Sequence, residues 1–226
     1  MLDSLGEEPT NDIIGDKSLA FNLMLSHFFY TKIIYSGGIS TMYKDVNIRS
    51  RADREKNDYY ATDPIALKKL LKYEKFDLNI WEPACGEGNL SEVLKEKGHN
   101  VYSTDLIDRG YQDETLDFLK TNNKWFGDII TNPPFTYTTE FVLKSLESIR
   151  TGSKVAMFYK MNYLSGVKRY KEIYSKFPPI RVYVFTKRVA CSKNNNPEGF
   201  KGGAMDYIWC IWEKGQYAPT QLKWLE

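Results

Sequence analysis

The tetrapeptide Asn132-Pro133-Pro134-Phe135 closes a short apolar run, residues 128–131, and is the segment best equipped for chemistry. Proline fixes its own φ and lacks a donor, so a Pro-Pro pair can serve simply to stop a strand. Here the pair is preceded by a side-chain amide and followed by an aromatic ring. Such a set offers hydrogen-bond acceptors of fixed direction, which is equipment for positioning and preorganised electrostatics rather than for acid–base work. A second loop, Glu82-Pro83-Ala84-Cys85-Gly86-Glu87-Gly88-Asn89, also follows an apolar run further upstream.

The rest of the inventory narrows the chemistry. With only His27 and His99, neither a His-based triad nor a multi-His metal centre is supported. Cys85, Cys191 and Cys210 are odd in number and lack CxxC spacing, so no disulfide framework or structural zinc site is expected; the thiols read as reduced and the protein as cytoplasmic, with no metal. Residues 19–35 are apolar but broken by Asn22, Ser26, His27, Thr31 and Lys32, reading neither as a signal peptide nor as a membrane span.

The 226 residues, 42% of them hydrophobic, suffice for one well-buried α/β domain. Residues 1–57 read as an N-terminal appendage and residues 58–226 as the catalytic domain. The formal charge of +2 divides unevenly: residues 1–150 carry 18 Lys/Arg against 24 Asp/Glu, whereas residues 151–226 carry 13 against 5. The basic third is where a polyanion would bind, although a charge run is as often a solvated face.

Positioning these loops requires alternating elements. Thr62 or Asp63 caps a helix with Pro64 at its first position and Ile65, Leu67, Leu70 and Leu71 inward. Strands are expected at 79–82, 101–104 and 127–131. A helix starts at Asn89, with Leu90, Val93 and Leu94 inward and Gly98 as its stop. Another runs from Thr138 or Thr139 to Arg150, burying Val142, Leu143, Leu146 and Ile149, and a strand follows at 154–159. Alternating βα units imply a parallel sheet covered on both faces. The runs 181–186 and 207–212, joined by a polar loop, should pair antiparallel at one edge. The weakest strand lies between Ile107 and Thr115.

In such a sheet ligands sit outside the carboxyl ends of the strands, where the glycine loop, Asp105 and the Pro-Pro loop all fall. Gly86 and Gly88 would let the backbone pass close to a bound molecule, and a carboxylate at Asp105 could accept from both hydroxyls of a ribose; a strand-end turn would explain Asp105 equally well. NAD-type dehydrogenases share both features, so these residues alone indicate an adenosine-containing cofactor. Position 91 is Ser, so the third glycine of the dinucleotide fingerprint is missing.

Taken together, the Glu-Pro-x-Cys-Gly-x-Gly loop, Asp105 and Asn-Pro-Pro-Phe resemble the signature of S-adenosylmethionine-dependent amino-methyltransferases, especially the adenine-N6 enzymes of phages and bacteria; the likeness spans residues 58–215. It implies a Rossmann-like class I fold, a mostly parallel seven-stranded sheet ending in an antiparallel hairpin. It also implies that S-adenosylmethionine is held by Tyr60, Thr62, Glu82, Pro83, Cys85, Gly86, Gly88, Asp105, Asp117 and Phe118, with Tyr60 and Thr62 over its methionine end and Asp117-Phe118 at its adenine. The catalytic set would be Asn132, Pro133, Pro134 and Phe135: Asn132 and the Pro133 carbonyl each take one N–H of an adenine amine, and Phe135 stacks on the flipped base. Cytosine-C5 enzymes carry Pro-Cys where this chain has Pro-Phe, so Cys85 is not expected to be a nucleophile.

A separate target-recognition region of the usual length is missing from this pattern. Specificity must be short-range or borrowed from a partner subunit, with Lys168, Arg169, Lys187, Arg188 and Lys193 as candidate nucleic-acid contacts and Asn194, Asn195 and Asn196 as conjectural base readers. DNA is the favoured substrate. RNA adenine, a protein glutamine side chain, and a methyltransferase-like subunit without turnover are the alternatives.

Overall fold

A computed structural model describes residues 60–192 and 205–226, all within one compact unit, Glu55–Glu226. The expected appendage, Lys193 and the asparagines 194–196 lie outside the described residues.

The elements run β1 (Ala61–Thr62), α1 (Pro64–Leu70), β2 (Asn79–Glu82), α2 (Asn89–Glu96), β3 (Asn100–Asp105), β4 (Glu114–Thr115), β5 (Asp128–Thr131), α3 (Thr138–Ser148), β6 (Lys154–Lys160), α4 (Val167–Arg169), β7 (Arg181–Phe185), β8 (Cys191–Ser192), β9 (Tyr207–Glu213) and β10 (Gln221–Leu225). The main sheet has the order β10-β7-β9-β6-β5-β2-β3-β4, and β9 alone runs antiparallel to its neighbours. Central strands are apolar on both faces because both are covered: Ile80, Trp81, Ile129, Ile130 and the five residues 155–159 are all buried. Trp81 packs edge-on against Phe118 at 5.0 Å, and its indole N–H donates to Thr104 Oγ1 at 2.9 Å.

Local expectations largely hold. Asp63 caps α1, its carboxylate accepting from the Ile65 amide at 2.9 Å. The buried stripe of α1 is Ala66, Leu67 and Leu70, however, and Ile65 in the first turn is 42% exposed. In α3, Phe141 and Ser145 take inward places beside Val142, while Leu143 and Leu146 are half-buried.

The expected antiparallel pair forms toward one edge, with Val182 opposite Cys210 and β9 between β6 and β7, and two strands add to it. The rim is taken by an eighth strand, β10, running parallel to β7. Separately, β1 pairs antiparallel with β8, Ala61 opposite Ser192 and Thr62 opposite Cys191.

Charged groups at the amino ends of the strands are tightly paired. Glu74, 5% exposed, accepts from Arg181 Nη2 at 3.0 Å, the Tyr183 hydroxyl at 2.8 Å and Lys154 Nζ at 3.3 Å. Burial alone would raise its pKa; the bonds from Arg181 and Tyr183 outweigh it and hold the carboxyl below its usual range. Asp128, opening β5, accepts from the amides of Asp77 at 2.7 Å and Lys154 at 2.6 Å. Among the described residues no helix is long and apolar enough to cross a membrane.

Candidate active site

At the opposite end of the sheet, β5 finishes at Thr131 and delivers Asn132 into the turn. Pro134 ends the extended backbone, and its carbonyl accepts from the Tyr137 amide at 3.0 Å, starting a short 3-10 turn that leads into α3. The Phe135 carbonyl accepts from the Tyr163 hydroxyl at 2.8 Å and from Thr138 Oγ1 at 3.2 Å. The turn is therefore held from both sides.

Asn132 is oriented through its nitrogen. Nδ2 donates to the Tyr60 carbonyl at 3.0 Å and to Thr62 Oγ1 at 2.9 Å, with Cys191 Sγ at 3.9 Å. A flipped amide would set its oxygen against the Tyr60 carbonyl, two acceptors facing each other, so this assignment follows from the partners. Oδ1 is left buried without a hydrogen-bond partner.

Tyr60 and Thr62, the residues expected over a cofactor, are bonded to Asn132. The β1–β8 pairing and the bond from the Asp63 amide to the Ala190 carbonyl, 3.1 Å, hold them there. Phe135 is packed on two sides. Its ring is 9% exposed, stacked on Tyr60 at 5.7 Å between centroids, with Lys160 Nζ 4.5 Å from its centre. In this arrangement Tyr60 and Lys160 cover the ring.

The glycine loop meets Asp105 directly. Asp105 Oδ2 accepts from the Gly86 amide at 2.8 Å and Oδ1 from the Ile107 amide at 3.0 Å. A carboxylate has about four lone-pair positions, so each oxygen keeps acceptor capacity. Gly88, at φ +85°, precedes α2, and its missing side chain admits the Tyr111 ring: a Cβ there would fall 2.3 Å from Tyr111 Cζ. The close approach expected for a ligand is made instead by a residue of the chain. Tyr111 is held by Lys95 Nζ, which donates to its hydroxyl at 2.9 Å, and by Glu92, which accepts from it.

Two carboxyls and a thiol behave distinctively. Glu82, the last residue of β2 before the turn at Pro83, is 2% exposed and accepts from Ser91. Burial pushes its pKa up to about 8. Burial, reinforced by the charges of Glu82, Asp105 and Asp113, pushes the Cys85 thiol far above its usual range, which keeps it protonated and a poor nucleophile. With Glu82 largely protonated at neutral pH, the carboxylates of Asp105 and Asp113 are what make the glycine loop electronegative.

Asp117 and Phe118 come beside Asp105, since the Leu116 amide donates to the Asp105 carbonyl at 2.8 Å. Asp117 faces Lys120 at 2.9 Å. Phe118, 2% exposed, belongs to the core with Trp81 and Phe141, so its ring offers no face to a base. Of the expected nucleic-acid contacts, Lys168 lies 3.9 Å from Glu172, Arg188 pairs with Asp206 at 2.8 Å, and Lys187 is exposed. Arg169 folds over the Tyr163 ring at 4.7 Å. The sequence reading missed Tyr111, Lys160 and Tyr163. Only Lys160 left a signal, as the polar residue closing an apolar strand at the ligand end of the sheet. Among the described residues no His, Cys, Asp and Glu side chains gather in threes as a metal site.

No protein-family model matches the sequence, and no curated protein matches it significantly. Solved structures do match the fold. A Listeria monocytogenes protein described as a class I S-adenosylmethionine-dependent methyltransferase aligns with TM-score 0.50 and 16% identity, over 76% of this chain and 67% of its own. A Pyrococcus horikoshii protein described as an RNA methyltransferase aligns with TM-score 0.50 and 16% identity, over 72% of this chain and 90% of its own. The chain has the Rossmann-like fold of the class I S-adenosylmethionine-dependent methyltransferases.

Proposed function

We propose that this chain transfers a methyl group from S-adenosylmethionine to the exocyclic N6 amine of adenine in DNA. The observation that carries the reading is the Asn132 carboxamide, pinned through Nδ2 and left with a buried, unpaired Oδ1. Leaving such an acceptor unmatched costs roughly 1–3 kcal/mol, a cost that makes sense where a substrate N–H completes the bond.

The chemistry follows from the amine. Its lone pair is delocalised into the ring, so it attacks poorly until the nitrogen is drawn toward tetrahedral geometry. Asn132 Oδ1 takes one N–H and the Pro133 carbonyl takes the other, which turns the lone pair out of the ring plane. With the cofactor bound, the nitrogen would gain the methyl as the methyl–sulfur bond breaks, the electron pair staying on the neutral thioether that leaves, and would shed one proton to solvent. Tyr60 is tied to Asn132 through its carbonyl, so the flexible Lys160 side chain is the group that must leave the Phe135 ring to admit a flipped base.

The glycine loop suits the cofactor. S-adenosylmethionine supplies an electrophilic methyl on a sulfonium and carries no phosphate. The carboxylates of Asp105 and Asp113 beside the loop favour such a cation and disfavour a pyrophosphate. Asp105 retains acceptor capacity for ribose hydroxyls.

The test incubates purified protein with labelled S-adenosylmethionine and, separately, unmethylated DNA, total RNA and protein extract, then identifies the methylated product by mass spectrometry after digestion. N6-methyladenine in DNA is the expected result. The same base in RNA alone, or methylglutamine, would keep the acceptor geometry and replace the substrate. Cofactor binding without product would overturn the catalytic reading.

A further inference from the structure

Resting on the DNA reading, we propose that residues 164–171, between β6 and the buried end of the following turn, form a wedge that enters the DNA stack and holds open the gap left by the target base. Val167 is 73% exposed, Tyr170 61% and Leu164 37%. Val167 and Tyr170 stand three residues apart in one helical turn, closed by the bond from the Tyr170 amide to the Gly166 carbonyl at 3.0 Å, and so share a face. Apolar side chains project there from a surface whose charge suits a polyanion: between residues 160 and 176 stand Lys160, Lys168, Arg169, Lys171 and Lys176 against the single acid Glu172. Apolar tips among cations fit a nucleic-acid stack, where side chains slip between bases while phosphates meet the charges.

The projection is braced and tied to the catalytic turn. Arg169 donates from Nε to the Ser165 carbonyl at 2.8 Å and from Nη2 to the Asn162 carbonyl at 3.3 Å, and its guanidinium covers the Tyr163 ring. Tyr163 in turn donates to the Phe135 carbonyl. Behind it, Tyr174 donates to the Tyr163 carbonyl at 2.7 Å and Ile173 is buried in the core. A cleft of about 310 Å³ separates the two parts, with Phe135 and Thr139 on the side of the catalytic turn and Tyr163, Val167 and Arg169 on the other. A push on Val167 and Tyr170 is therefore transmitted to the residues that receive the base.

Extracting a paired base costs a few kcal/mol, and less when its partner is missing. A wedge therefore matters most on a fully paired duplex. The experiment compares wild type with the V167A/Y170A double variant on two short duplexes carrying a methylation site mapped from wild-type products, one with thymine and one with an abasic position opposite the target adenine. Expected is a loss of about tenfold in kcat/KM on the paired duplex and of less than about twofold on the abasic one. A K168A/K171A variant serves as contrast: it should weaken both duplexes alike and flatten the salt dependence. Equal losses of the V167A/Y170A variant on the two duplexes, or no loss on either, would overturn the wedge while leaving the methyltransferase reading intact. Wild type acting only on single strands would do the same. Wild type that methylates no DNA would remove the substrate reading and the wedge with it.

Discussion

The two ends of the sheet treat buried polar groups in opposite ways. At the amino ends, Glu74 is met by Arg181, Tyr183 and Lys154, and Asp128 by two backbone amides. At the carboxyl ends, Asn132 Oδ1 and Thr131 Oγ1 are buried without a hydrogen-bond partner. Paired groups at one end hold strands together, whereas unmet capacity at the other is what a substrate or cofactor would satisfy. The helices and hydrophobic core are shared, so the contrast lies in the pairing.

Substitutions can break that contrast. Asn132→Ala should lower methyl transfer by about a hundred- to a thousandfold, as for loss of one preorganised hydrogen-bonding group. Calorimetric binding of S-adenosylmethionine should be unchanged, since in the proposed mechanism Asn132 serves the methyl acceptor. Arg181→Met should cost about 3 kcal/mol in denaturant unfolding, because Glu74 keeps a buried charge with its principal partner removed. That protein should remain active wherever it is folded.

The pH dependence sharpens the comparison. Glu82 binds its proton more tightly folded than unfolded, so its contribution to stability declines as pH rises from 4.5 to about 8. Glu82→Gln removes that decline and should gain on the order of 2 kcal/mol over wild type near pH 8, read from denaturant midpoints across pH. Glu74, with its lowered pKa, behaves oppositely: it stabilises above its unfolded pKa and loses that stabilisation as pH falls through its folded one.

The smallest expected effect belongs to Thr62. Thr62→Val removes one of the acceptors that orient Asn132 and should lower kcat roughly tenfold, with cofactor affinity unchanged and Thr62→Ser restoring the rate. A matching drop in cofactor affinity would return Thr62 to the cofactor.

Much of the site lay in short stretches. The glycine loop, Asp105 and the Asn-Pro-Pro-Phe turn were legible because each follows an apolar strand, and strand ends place them on one rim. The partners of Asn132 were not legible, since Thr62 and Cys191 meet it across 70 and 59 residues of chain. The cover on Phe135 was hidden for the same reason: stacking by Tyr60 depends on how β1 is tethered to β8. Gly88 was read as room for a ligand, but nothing in its neighbourhood of sequence pointed to Tyr111.

By itself the sequence determined the βα alternation, the capped start of α1 at Asp63 and Pro64, the glycine stop after α2 and the loops at the strand ends. All of these follow from periodicity and backbone preference within a dozen residues. The tertiary structure alone decided that β9 slots between β6 and β7, that β10 covers the rim, that β1 finds β8 and that the Asn132 amide is pinned through its nitrogen with its oxygen left unpaired. Those outcomes depend on pairings between distant segments, whose energies come from contacts that no local pattern encodes.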